Sequence, residues 1–280
     1  VCVSGGFGME FANWFRYVDV YQPLIWNEFI HEQEDDVVKS IYPRGIHQCI
    51  KEFLEADEGL NISTATLQED DHGLSEELLE KTDVLIWWGH KAHKLVEDRI
   101  VDWVQQRVLE GMGLVVLHSG HHSKIFKRLM GTTANIRWAE RGEKERVWVC
   151  NPGHPIANGL GEYFEIEMTE MYSEPFQVPS PDETIFISWF EGGEVFRSGL
   201  CYKRGNGKIF YFRPGREAYP VFHNKDVQLV INNAVHWACP EPSAGIWIDR
   251  IAKGIDNMER KEPVQPIETR GYKVNHDYKN

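Results

Sequence analysis

The sequence predicts an α/β fold built on a parallel sheet. Four short apolar runs in the first half alternate with stretches of helical periodicity. The third and fourth runs are apolar almost without interruption, as strands covered on both faces are. Polar residues and histidines follow these runs directly, and ligands of such sheets bind beyond the carboxyl ends of the strands.

Each element has a local reason. Residues 22–30 hold an apolar run read as a strand that ends near Trp26. Residues 35–56 read as a helix interrupted or started by Pro43-Arg44-Gly45, with Ile46, Ile50, Phe53 and Leu54 on its inner face. Residues 62–67 form a second strand and 83–88 a third, continuously apolar after Asp83. A helix follows over 96–112, striped by Val96, Ile100, Trp103, Val104 and Val108 and ended by Gly111 and Gly113. Leu114-Val115-Val116-Leu117 is the fourth strand, running straight into His118-Ser119-Gly120-His121, and a helix over 123–130 comes next.

The second half is punctuated differently. Strand-like pieces at 146–150, 164–168, 184–189 and 208–213 are separated by proline and glycine, and Gly192-Gly193 and Gly205-Asn206-Gly207 read as tight hairpin turns. A last helix over 226–238 is closed by Pro240. Residues 22–240 thus form the α/β domain. Residues 1–21, aromatic-rich, are an N-terminal extension, and 241–280, broken by proline and glycine, a C-terminal one.

Composition narrows the function. A 280-residue chain that is 42% hydrophobic and 26% charged is neither disordered nor a membrane protein, and no apolar run approaches the length of a bilayer-spanning helix. With 43 acidic against 30 basic residues and no basic block, nucleic acid is not an expected partner. Five scattered cysteines without a C-x-x-C pair favour a reducing compartment, and the start Val1-Cys2-Val3-Ser4 lacks a basic leader, so a cytoplasmic location is expected. Cover for the aromatic N-terminal segment would come from self-association, so a homo-oligomer is expected.

Chemistry concentrates at the strand ends. His90-Lys91-Ala92-His93 and His118-Ser119-Gly120-His121 each follow a buried strand, and His31 follows the first. Parallel strands share one carboxyl edge, so His31, His90, His93 and His121 are expected to converge on one crevice as ligands of zinc or another divalent metal, with Glu28 and His118 nearby. The alternative is that such histidines cap loops and bind backbone carbonyls. Arg213 and Arg216 are placed to polarise a substrate oxygen, and Glu217 to act as a general acid whose pKa burial raises; a structural Arg–Glu pair is the competing reading. Glu28, His118, Arg213 and Glu217 are therefore the candidate catalytic residues. Trp87, Trp88, Trp189 and Tyr219 are candidates for sugar stacking, against the plainer reading of core residues. Ser119 sits between two histidines at a strand–helix turn but lacks the G-x-S-x-G pattern of a nucleophile. His154, between prolines, reads as a loop organiser. No G-x-G-x-x-G occurs and Gly5-Gly6-Phe7-Gly8 lacks the Lys-Ser/Thr ending, so no nucleotide cofactor is expected.

The stretches Trp26-Asn27-Glu28-Phe29-Ile30-His31-Glu32, Ile41-Tyr42-Pro43-Arg44-Gly45-Ile46-His47, Trp87-Trp88-Gly89-His90-Lys91-Ala92-His93, Leu117-His118-Ser119-Gly120-His121 and Glu170-Met171-Tyr172, with 187–198 and 205–215, carry a resemblance. The chain resembles the ThuA-like, trehalose-utilisation family, of the class I glutamine-amidotransferase-like fold, over roughly 22–240. The resemblance implies a three-layer flavodoxin-like sandwich with a mainly parallel central sheet. It implies a role in disaccharide catabolism, beside a partner sugar dehydrogenase that forms 3-keto sugars. The amidotransferase cysteine is absent from the turn after the fourth strand, so glutamine hydrolysis is not expected. Position 216 is Arg where the family commonly has His. The expected function is an isomerase or hydrolase of a disaccharide or 3-keto-disaccharide, working by histidine- or metal-assisted proton transfer or hydrolysis. The alternative is a non-catalytic keto-sugar-binding protein that assists the dehydrogenase.

Overall fold

Nine strands form a single sheet in the computed structural model, which describes residues 20–240. In chain order the strands are β1 (Pro23–Asn27), β2 (Ser63–Thr66), β3 (Val84–Trp88), β4 (Gly113–Leu117), β5 (Arg137–Val149), β6 (Tyr163–Ser173), β7 (Glu183–Phe190), β8 (Val195–Arg204) and β9 (Gly207–Phe212). The helices are α1 (His31–Glu34), α2 (Asp36–Ile41), α3 (Ile46–Leu54), α4 (Glu76–Glu80), α5 (Asp98–Glu110), α6 (Lys124–Met130) and α7 (Lys225–Ala238). The glycine run at 5–8, the aromatic N-terminal residues and the C-terminal extension lie outside the described residues.

The spatial order is β2-β1-β3-β4-β9-β8-β7-β5-β6. The first five are mutually parallel, and every pairing from β9 outward to β6 is antiparallel. The expectation of a mainly parallel sheet is therefore corrected: the sheet is half parallel and half antiparallel. In the second half a four-residue turn over 191–194 joins β7 to β8 and the two-residue turn Gly205-Asn206 joins β8 to β9, and connections this short join antiparallel neighbours.

Two cores lie on the two faces. The period-two geometry of β3 sends Ile86 and Trp88 to one face and Leu85 and Trp87 to the other. The first face is covered by α3 through Ile46, Ile50 and Leu54 and by α7 through Val227, Val230 and Ala234. The second is covered by α5 through Ile100, Val104 and Val108 and by α6 through Ile125 and Phe126. Helices on both faces give three layers, consistent with a flavodoxin-like sandwich.

The single helix expected over 35–56 is two helices, α2 and α3, separated at Tyr42–Gly45. Gly45 has φ +91, and a Cβ there would lie 2.5 Å from Cε1 of His47, so only glycine both turns the chain and admits the imidazole. The N-terminal reach of β5, the end of β6 and all of β8 were not legible as strands. Arg137–Lys144 is rich in charge and half exposed, and β8 carries Ser198-Gly199 at its centre, so neither shows an apolar alternation. Among the described residues no helix is long and apolar enough to cross a membrane.

Candidate metal and acid–base site

The carboxyl ends of β1, β3, β4 and β9 open onto one edge, and each contributes polar residues there. Glu28 follows β1, His90 follows β3, His118 follows β4, and Arg213 to Glu217 follow β9. Two non-glycine residues at this edge have left-handed backbones, Phe29 at φ +46 and His118 at φ +48. Such conformations cost energy and cluster at functional sites.

His31, His90 and Glu217 converge. Each offers a ligand atom, and these atoms all lie within 4.8 Å of one another. His90 Nδ1 is 2.8 Å from Glu217 Oε2, His31 Nε2 is 3.7 Å from Glu217 Oε1, and the two imidazoles are 5.0 Å apart. Glu217 is 2% exposed. Burial alone would raise its carboxyl, but the hydrogen bond from His90 and the charges of His90, Arg216 and His31 win and hold it at about 2. It is a fixed carboxylate, not the protonated general acid expected from its burial. Burial lowers the His31 pKa, with Glu217 opposing.

Two imidazoles and a carboxylate are the donor set of an open divalent-metal site, and His31 Nδ1 is buried without a hydrogen-bond partner. The residues fit such an ion in chemistry, with one obstacle in place. Arg216 Nη1 is 2.8 Å from Glu217 Oε1 and 3.1 and 3.2 Å from the two ring nitrogens of His90. Its Nε is 2.8 Å from Glu140 Oε2. A guanidinium thus lies against the same donors.

His93 and His121, expected as metal ligands, are not in this cluster. An i,i+3 pair shares a face only on a helical segment, and residues 90–93 form none. The ring of His93 faces His122, 6.1 Å away. His121 is fully buried, its Nδ1–H donating to the Ala134 carbonyl at 2.7 Å amid Tyr172, Phe176 and Tyr211.

Glu28 is close but committed elsewhere. Its buried carboxylate accepts from the backbone N–H of Lys91 at 2.6 Å and of Ala92 at 2.9 Å, and so holds the loop that carries His90. It is a positioning residue. Arg213 is corrected most. It is fully buried and turned into the antiparallel half, donating to Glu145, to the Thr169 hydroxyl and to the Glu170 carbonyl, with Tyr172 and Phe190 beside its guanidinium. It reaches no crevice surface. Removing one partner of a buried ion pair leaves the other charge uncompensated, so Arg213→Ala is expected to destabilise by about 3–5 kcal/mol in urea unfolding. A loss under about 1 kcal/mol would contradict this structural role.

His118 lies behind His90, ring centroids 5.9 Å apart. Its Nδ1–H donates to the Arg213 carbonyl at 3.0 Å, which leaves Nε2 3.2 Å from Glu170 Oε2 and 3.4 Å from the Tyr172 hydroxyl. Burial lowers the His118 pKa despite Glu170. Burial would raise Glu170, but His118 and Arg216 bring it down. Glu170 was missed as a site residue. The one signal for it was the stretch Glu170-Met171-Tyr172 in the resemblance.

The remaining candidates are structural. Trp87 and Trp88 are core, Trp87 stacked on Trp26 at 4.0 Å and Trp88 donating to the Gly215 carbonyl at 3.2 Å. Trp189 is half-exposed on β7, and the Tyr219 hydroxyl donates to Glu140 at 2.7 Å. Ser119 donates to the Gly89 carbonyl at 2.9 Å, which leaves no free nucleophile. His154 caps a 3₁₀ turn through the Ile156 N–H, as a loop organiser should.

Fold and site together define a three-layer α/β protein with a His–His–Glu cluster, able to hold a divalent metal, at the carboxyl edge of its parallel half-sheet. The chain belongs to the ThuA family, described as trehalose utilisation, which it matches over residues 22–238. That membership argues for a role in sugar catabolism and against glutamine amidotransfer. No curated protein matches it. Among solved structures, a ThuA-like protein from Bacteroides uniformis is similar at TM-score 0.57 and 17% identity, covering 83% of this chain and 95% of that one. Another from Parabacteroides merdae has TM-score 0.57 and 13% identity, covering 78% and 89%. A cytoplasmic protein from Salmonella typhimurium has TM-score 0.55 and 12% identity, covering 78% and 99%. At these identities the likeness is one of fold.

Proposed function

We propose that the protein moves a proton beside the carbonyl of an oxidised sugar, a 3-keto-disaccharide, within sugar catabolism. The carrying observation is the short contact between His90 and Glu217 beneath the Arg216 guanidinium. The His90 Nδ1–H donates to Glu217, so the ionised carboxylate fixes the ring and leaves the Nε2 lone pair as base. A keto group acidifies the neighbouring C–H. Removing that proton places the bonding pair on the carbonyl oxygen, and Arg216 is the cation positioned to stabilise the resulting enediolate. Return of the proton to the adjacent carbon, or loss of a neighbouring leaving group, completes isomerisation or elimination. His118, with Glu170 behind it, lines the inner side of the same imidazole.

His31, His90 and Glu217 are also the residues that would hold a divalent metal, whose bound form supplies Lewis acidity to a sugar oxygen.

The test is deuterium incorporation from heavy water into a 3-keto-disaccharide, followed by NMR, with metal-free and metal-loaded protein. Exchange beside the keto group is expected, and Glu217→Gln should slow it about 10²–10⁴-fold. No exchange and no product in either form would sink the reading. Saturable binding without exchange would point instead to an accessory protein for a sugar dehydrogenase.

A further inference from the structure

A second concave surface adjoins the crevice. It is a groove of about 610 Å³, lined by Lys91, His93, Lys94, Leu95, His122 and Lys127 among others. That volume lies in the range of small-ligand sites. Ile30 and Lys91, which also line it, are the chain neighbours of His31 and His90, and His93 and His122 lie within electrostatic reach of His90.

Its charge runs against that of the whole chain. The protein carries a formal −13, yet this groove gathers three ammonium groups around one carboxylate, Glu34, and Glu34 is tied to Lys91 in an ion pair. Among the described residues Lys94 and Lys127 have no ion-pair partner. His93 Nε2 is buried without a hydrogen-bond partner, and the His93 and His122 rings are 6.1 Å apart. Burial first, then the neighbouring cations, lower His93 to about 3 and His122 to about 4. Both rings are therefore neutral at physiological pH and line the groove without adding charge, while the lysines supply it. Leu95 is 62% exposed at this groove, an apolar surface for the face of a sugar ring.

We infer that this groove is an oxyanion-binding annex of the crevice, in which Lys94 and Lys127 hold a carboxylate or phosphate group borne by a sugar. The inference deepens the proposed function and rests on it only in placing the rest of that sugar at His31 and His90. Oxyanion binding itself is read without turnover.

The experiment is calorimetric titration of the full chain at neutral pH and low salt with glucuronate, glucose 6-phosphate and, as the neutral control, glucose. At least one of the two acids is expected to bind at least tenfold tighter than glucose, and the tighter acid identifies the oxyanion as carboxylate or phosphate. Raised salt should weaken that binding, because the lysines are solvent-facing. The double variant Lys94→Ala/Lys127→Ala should lose at least tenfold in affinity for the acid at an unchanged melting temperature. The titration reads binding without turnover, so a failed proton-exchange assay leaves this measurement intact. Acids that bind no tighter than glucose, or a double variant that binds them as wild type does, would overturn the annex.

Discussion

Arg216→Ala is expected to tighten binding of a divalent cation at His31, His90 and Glu217 by at least about 100-fold. The Arg216 Nη1 lies 2.8 Å from the Glu217 carboxylate and 3.1–3.2 Å from both His90 nitrogens, so an incoming ion must displace it or share its donors. Two unit charges 4 Å apart repel by about 4 kcal/mol at the effective dielectric of a protein surface, and a divalent ion doubles that. The guanidinium is partly exposed and can swing outward, which lowers the penalty; 100-fold corresponds to about 2.7 kcal/mol. Cobalt(II) titration followed by visible absorption reads affinity and coordination without any substrate. Equal affinity in wild type and variant would show that Arg216 does not oppose the ion. Because the same side chain is the oxyanion partner in the proposed proton transfer, metal-free exchange should fall in this variant.

The second large effect is acid lability beginning near pH 6.5. Burial holds His47 at about 4, its Nδ1 2.9 Å from Asn27 Nδ2, and lowers His93 to about 3 and His122 to about 4. A histidine whose folded pKa is depressed contributes stability that is fully present above its unfolded value of about 6.5 and is lost as pH falls through the folded value. Discounting the partly buried His93 and His122, the loss between pH about 6.5 and 4 is on the order of 5 kcal/mol. Glu217 acts lower: its stabilisation is present above about 4.5 and lost as pH falls toward about 2. Urea midpoints measured from pH 7 to 3 should fall steeply across the histidine window, and His47→Gln should flatten part of that slope. A midpoint independent of pH between 6.5 and 4.5 would contradict it.

How much of the site was legible depended on how local its cause was. His31 and His90 were readable because each follows a strand end, and the ends of parallel strands share an edge. Their third partner was misassigned to His93 and His121. A shared edge brings His93 and His121 to the same side of the sheet but does not fix where their rings point: Glu28 binds the backbone of Lys91 and Ala92, and the His93 ring faces His122. Glu217 follows β9 as the sequence suggests, and its ion pair with Arg216 matches the competing Arg–Glu reading; with His90 and His31 that pair keeps it ionised, so it is not a general acid. Glu170 arrives on β6 through antiparallel pairing with the largely polar strand β5, which had no periodicity to announce it.

By itself the sequence determined the α/β class, the four parallel strands β1 to β4, the helices over their faces, and the edge at which the histidines gather. Those follow from apolar runs and helical stripes, which are properties of neighbouring residues and of the need to bury them. The tertiary structure alone decided that half the sheet runs antiparallel, that Arg213 points into the core while Arg216 points at His90, and that Glu217 rather than a third histidine completes the cluster. Loop backbone conformation and long-range ion pairs settle which atoms meet, and neither leaves a periodic trace in the chain.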